Sequence, residues 1–158
     1  MLKPFGQNSE VVLDVGGEGR HPNAWNLNPS FVKTIGTKRG EPIPQHISGR
    51  ADHISLPDRS VDRLICERTP LQLAALREIA RVISPNGIIT LRHALCPHGD
   101  PHAVAKRVLP GLVSERIICI DGQIVQETEF RPSGCVPGSA DANDHEISPY
   151  RPGTERRS

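Results

Sequence analysis

At 158 residues the chain suits one domain, long enough to bury roughly two-thirds of its unfolded surface in a single core. Nineteen basic against eighteen acidic side chains give a formal charge of +1, so bulk electrostatics points to neither nucleic acid nor an anionic membrane as partner. Aromatic residues make up only 3%, which argues against a base-stacking platform for single strands.

The N-terminal Met1-Leu2-Lys3-Pro4-Phe5 lacks a signal-peptide apolar region, and no apolar run approaches the roughly 20 residues that span a bilayer. A cytoplasmic location is the expectation. Cys66, Cys96, Cys119 and Cys135 include no Cys-x-x-Cys pair and read as buried thiols rather than a disulfide framework or zinc ribbon. Residues 1–10 read as a polar lead-in. The apolar run Val11-Val12-Leu13-Asp14-Val15 then meets Gly16-Gly17-Glu18-Gly19, the pattern of a buried parallel strand opening into a tight loop where backbone approaches a ligand.

Only Gly16 to Ala24 separate this strand from the next strand-like segment, Trp25-Asn26-Leu27-Asn28-Pro29. Extended chain of that length returns along a short strand, but with Pro22 and several glycines it cannot also form a helix. The reading is a sheet whose first crossover helix is reduced to a loop. That leaves a face near the first strand for a protein partner or a second copy to cover. Phe31 to Glu41, with Gly36 and Gly40, reads as a basic turn or weak helix.

Arg63-Leu64-Ile65-Cys66-Glu67 reads as a further strand, and Thr69-Pro70 as a capped helix start. Leu73, Leu76, Ile79, Ala80 and Ile83 fall on one helical face, with Gln72, Arg77, Glu78 and Arg81 outside. Ser84-Pro85-Asn86-Gly87 should stop the helix before a strand over Gly87 to Arg92. A helix over Pro101 to Leu109 and a hairpin of Arg116–Ile120 and Ile124–Phe130 about Asp121-Gly122 complete the domain at 11–130. Residues 131–158, rich in Pro, Gly and Ser, read as a disordered tail.

Three ordered stretches resemble class I S-adenosylmethionine-dependent methyltransferases of the type 11 group. They are Leu13-Asp14-Val15-Gly16 with its glycine turn, Ala51-Asp52-His53 followed by Leu56-Pro57-Asp58-Arg59-Ser60-Val61-Asp62, and Leu76-Arg77-Glu78-Ile79-Ala80-Arg81-Val82-Ile83-Ser84-Pro85-Asn86-Gly87. The resemblance spans roughly residues 11 to 130 and implies a Rossmann-like, doubly wound α/β fold with a mainly parallel sheet and a C-terminal antiparallel hairpin. It implies S-adenosyl-L-methionine as cofactor, with Asp14, Gly16 and Gly17 at its amino-acid end and Asn26 or Asn28 at the ribose. It further implies Asp52 at the adenine amino group and the His53 backbone amide at a ring nitrogen.

The glycine turn departs from the usual alternation at Glu18 and Arg20, and the ribose position carries an amide instead of an acid. Two functions therefore stand side by side: a methyltransferase for a small-molecule or lipid-like acceptor, and a catalytically inactive methyltransferase-fold binding or interaction module. A nicotinamide-dependent enzyme fits less well, since its glycine loop should open a helix about 20 residues before a ribose acid. His93, after the fifth strand and with a pKa suited to proton transfer, is the candidate catalytic base. The set His93, Cys96, His98 and His102 fits no standard zinc spacing, so no metal is expected.

Overall fold

The computed structural model describes residues 9–134. The tail expected from 131 onward lies almost entirely outside these residues, as do residues 1–8 of the lead-in. Seven strands form one sheet: β1 (Val12–Val15), β2 (Trp25–Asn28), β3 (His46–Ser48), β4 (Val61–Glu67), β5 (Ile83–Ala94), β6 (Leu112–Ile120) and β7 (Gln123–Phe130), in the order β3-β2-β1-β4-β5-β7-β6. Strands β1 to β5 pair in parallel, whereas β7 runs antiparallel to both β5 and β6. The β6–β7 turn has Asp121 at φ 50° and Gly122 at φ 77°. Two consecutive positive φ angles twist the turn to match the flanking strands.

Two α-helices occur among the described residues, α1 (Leu73–Val82) and α2 (Ala103–Val108), besides a 3-10 turn at Pro132–Gly134. Both pack on the same face of the sheet. There Leu13, Leu64, Ile89 and Phe130 stand side by side across β1, β4, β5 and β7, with Leu76 and Ile79 of α1 and Ala105 of α2 in the same cluster. The connection from β1 to β2 contains no helix, as its length and glycines require, and neither do those from β2 to β3 and β3 to β4. The doubly wound topology is thus kept while one face of the sheet carries no helix among the described residues.

Local signals were redirected by packing at several points. Helix α1 starts at Leu73, after an extended Gln72 that forms no side-chain cap, because the Thr69 hydroxyl donates to the Val15 carbonyl at 3.2 Å. The buried stripe is Ala75, Leu76, Ile79 and Val82, so Leu73 and Ala80 face outward. No stop separates helix from strand: β5 begins at Ile83 beside Val61 and rejoins the ladder at Ile88 beside Arg63, with 84–87 bulging between. Of the cysteines expected inside, Cys66 is buried but Cys96 and Cys119 are exposed, the latter because β6 is the sheet edge. No described helix is long and apolar enough to cross a membrane.

Candidate functional site

The strand order reverses between β1 and β4, and open α/β sheets bind ligands beyond the carboxyl ends of the strands at such a point. Two clefts lie there. One, of about 430 Å3, is walled by Gly16, Asn28, Gly49, Asp52, Thr69 and Ala75. The other, of about 290 Å3, lies over the glycine loop and holds Asp14, Gly17, Lys33, Lys38 and Arg68. They share Gly16, Glu18, Ile35, Glu67 and Arg68.

The glycines answer first to the protein itself. Gly16 has φ +76°, and a Cβ there would lie 1.9 Å from the Thr69 hydroxyl; at Gly17 it would meet Asn26 Oδ1 at 2.3 Å and Asp14 Cγ at 2.5 Å. The three glycine amides are spent internally: Gly16 N–H donates to Leu27 O, Gly17 N–H to Asp14 O and Gly19 N–H to Asn26 Oδ1. Glu18 reaches across to the next loop, accepting from the Thr34 amide at 2.9 Å, the Thr34 hydroxyl at 2.5 Å and the Ile35 amide at 3.2 Å. Partial burial opposes its charge, but these donors hold its carboxyl below the ordinary range. Glu18 thus ties residues 34–35 over the loop, at the boundary of the two clefts.

Asp14 is 3% exposed, yet its carboxyl lines the glycine-loop cleft and makes no side-chain hydrogen bond among the described residues. Burial raises its pKa to about 6, against the lowering field of His21. Asn28 stands in the wall of the larger cleft with its amide already engaged, donating to Gly17 O at 3.2 Å and accepting from Ser30 N–H at 2.9 Å. Asn26 is buried beneath the loop, where it donates to Pro44 O at 2.8 Å. Of the two amides matched to the ribose position, only Asn28 reaches the cleft.

Asp52 borders the larger cleft at a tight turn, where the His53 amide donates to Arg50 O at 3.0 Å. The His53 amide is therefore committed to the turn, and His53 does not line the cleft. This loop is positioned by α1. Arg81 donates to Ile54 O, Leu56 O and Asp58 at 2.7 to 2.9 Å, while Glu78 accepts from Ile54 N–H at 2.8 Å. The helix stretch that most resembles the family is thus a clamp on the Asp52 loop. From sequence, Glu78 and Arg81 read merely as a solvated face.

His93 is turned inward and lines neither cleft. Its Nε2 lies 2.7 Å from Thr69 O and therefore carries the proton. Its Nδ1 then accepts from His102 Nε2 at 2.9 Å, and His102 Nδ1 accepts from the Thr128 hydroxyl at 2.6 Å. Both of its nitrogens are thus bound within the protein, and burial lowers its pKa.

Sequence reasoning missed a row of charge. Glu67, Arg92, Glu127 and Arg116 are consecutive partners across β4, β5, β7 and β6 on the face without helices. Arg92 donates to Glu67 at 2.7 Å and to Glu127 at 2.7 Å, and Arg116 donates to Glu127 at 2.5 Å. His21 adds a contact to Glu67 at 3.0 Å and, with the Arg92 contact, holds its carboxyl down at about 2. A sequence signal existed: Glu67, Arg92, Glu127 and Arg116 each stand next to a residue of the opposite face in their strand, so they share the face away from Cys66, Leu91 and Thr128.

No family model matches the sequence, and no curated protein does. Solved structures do resemble it. A methyltransferase of Methanosarcina mazei aligns with a TM-score of 0.55 at 9% identity, over 80% of this chain and 94% of that one. A Burkholderia thailandensis 1,6-didemethyltoxoflavin-N1-methyltransferase, solved with S-adenosylhomocysteine, gives 0.54 at 13%, over 78% and 71%. A 16S rRNA adenine N1-methyltransferase of Catenulisporales acidiphilia gives 0.54 at 11%, over 78% and 85%. Identities this low speak for architecture alone. Together with the strand order, they show that this chain has the class I S-adenosylmethionine-dependent methyltransferase fold.

Proposed function

We propose that the protein is an S-adenosylmethionine-dependent methyltransferase acting on a small-molecule acceptor. The observation that carries this reading is the pair of joined clefts at the β1/β4 switch point, with Asp14 at one end and Asp52 at the other. A buried carboxylate with no partner of its own suits the cofactor's ammonium group, and the Asp52 turn suits the adenine amino group. Asn28, in the wall of the larger cleft, suits the ribose hydroxyls. The cofactor supplies an activated methyl on a sulfonium. The chain's own part is to hold the acceptor in line, which is the larger share of the work when the acceptor arrives as a free nucleophile. A balanced overall charge and few aromatics favour a small acceptor over nucleic acid.

The competing reading, a binding module that keeps the fold without the chemistry, draws support from the consumed loop amides and the inward His93. Isothermal titration with S-adenosylmethionine and S-adenosylhomocysteine separates the two. Micromolar binding, weakened by about 1 to 3 kcal/mol in Asp52→Ala through loss of a hydrogen bond, is expected of the enzyme. Absence of heat and of thermal shift at millimolar ligand would leave the binding module.

A further inference from the structure

In a nucleotide-binding α/β fold, the helix after the first strand offers free amides and the positive end of its dipole to an anionic group. Here that helix is absent, and the Gly16, Gly17 and Gly19 amides are bonded within the protein. Cationic side chains gather over the same loop instead. Lys33 and Lys38 come from the loop after β2, Arg20 from the loop itself and Arg68 from the end of β4, and all four line the glycine-loop cleft. Lys38 has no ion pair among the described residues, and Arg68 has only a loose one, 3.9 Å from Asp121. Lys33 lies 3.5 Å from Glu41, and Arg20 lies 3.3 Å from Asp121 and 3.7 Å from Glu67. The loop bearing Lys33 and Lys38 is held in place by the Glu18 bonds to Thr34 and Ile35.

We infer that Lys38 and Arg68, with Lys33 beside them, bind the carboxylate of the cofactor's amino-acid end, replacing the missing helix N-terminus with side-chain charge. The cleft is lined by three carboxylates: Glu18 is taken up by Thr34 and Ile35 and Glu67 by His21 and Arg92, which leaves Asp14 as the unpaired anion beside the cations, the complement of an α-amino acid zwitterion. The break in the glycine alternation fits this arrangement, because Glu18 secures the loop that brings the lysines over the site. This rests on the cofactor reading above, and ligands that differ only at the amino-acid end separate the two.

The test is titration of the full chain with S-adenosylhomocysteine, its decarboxylated analogue and 5′-methylthioadenosine, at low and raised salt, for the wild type, Lys38→Ala and Arg68→Gln. S-Adenosylhomocysteine is expected to bind about ten-fold tighter than the decarboxylated analogue, by a margin that shrinks in salt and in either variant. Affinity for 5′-methylthioadenosine should be the same in all three proteins. Equal affinity for the first two ligands, or variants that weaken all three ligands alike, would overturn the inference while leaving the cofactor reading intact. Failure of every ligand to bind would overturn both.

Discussion

The two faces of the sheet are built on opposite principles. Under α1 and α2, Leu13, Leu64, Ile89 and Phe130 are completely buried and interlock with Leu76 and Ile79. On the other face the corresponding row is Glu67, Arg92, Glu127 and Arg116, each charge next to its opposite. A strand buried on one side only needs one apolar set. The helix-free face can remain beside water because cross-strand ion pairs occupy it where helices would otherwise demand hydrocarbon. The charged row lies on β4, β5, β7 and β6; the partner or second copy expected from sequence would sit farther along the same face, near the first strand.

The sharpest way to separate the faces is truncation on each. Leu64→Ala or Ile79→Ala should lower unfolding free energy by about 2 to 5 kcal/mol, read from urea denaturation, since each removes buried methyl groups beneath the helices. Arg92→Met should lower it by about 2 kcal/mol, because it removes the donor that Glu67 and Glu127 share and leaves each with one remaining hydrogen-bond partner, His21 and Arg116. Equal losses on the two faces would show that the charged row carries as much of the fold as the core does.

Acid should act on both faces with different signatures. Burial lowers the pKa of His102 from 6.5 to about 4, so the unfolded chain binds the proton more readily between those values. Stability from this residue is present above pH 6.5 and falls as pH drops toward 4. His102→Gln should flatten that part of a stability profile; an unchanged slope would shift the cause to the charged face. There, Glu67 is held near 2, so its contribution persists above its ordinary 4.5 and disappears only as pH falls toward 2.

The smallest effect concerns the cleft. Asp14 titrates near 6, so it is anionic at pH 7 and largely neutral at pH 5. Affinity for S-adenosylhomocysteine should therefore rise as pH increases from 5 to 7, in titrations at constant ionic strength. Asp14→Asn should remove that rise.

The sequence alone determined the elements whose signals are local. The apolar run before Gly16 dictates a buried strand, nine residues with Pro22 forbid a crossover helix, and Asp121-Gly122 selects a hairpin turn. Asp14, Gly16, Asn28 and Asp52 were legible as cleft residues because each sits at a strand end or turn that the topology brings to one edge. Tertiary structure decided what pairing decides. Thr69 left its cap to brace Val15, His93 faced His102 and Thr69 rather than the cleft, and Glu78 and Arg81 gripped the Asp52 loop. Each involves partners far apart in sequence, and a polar side chain takes whichever partner the packed chain presents; no periodicity encodes that choice.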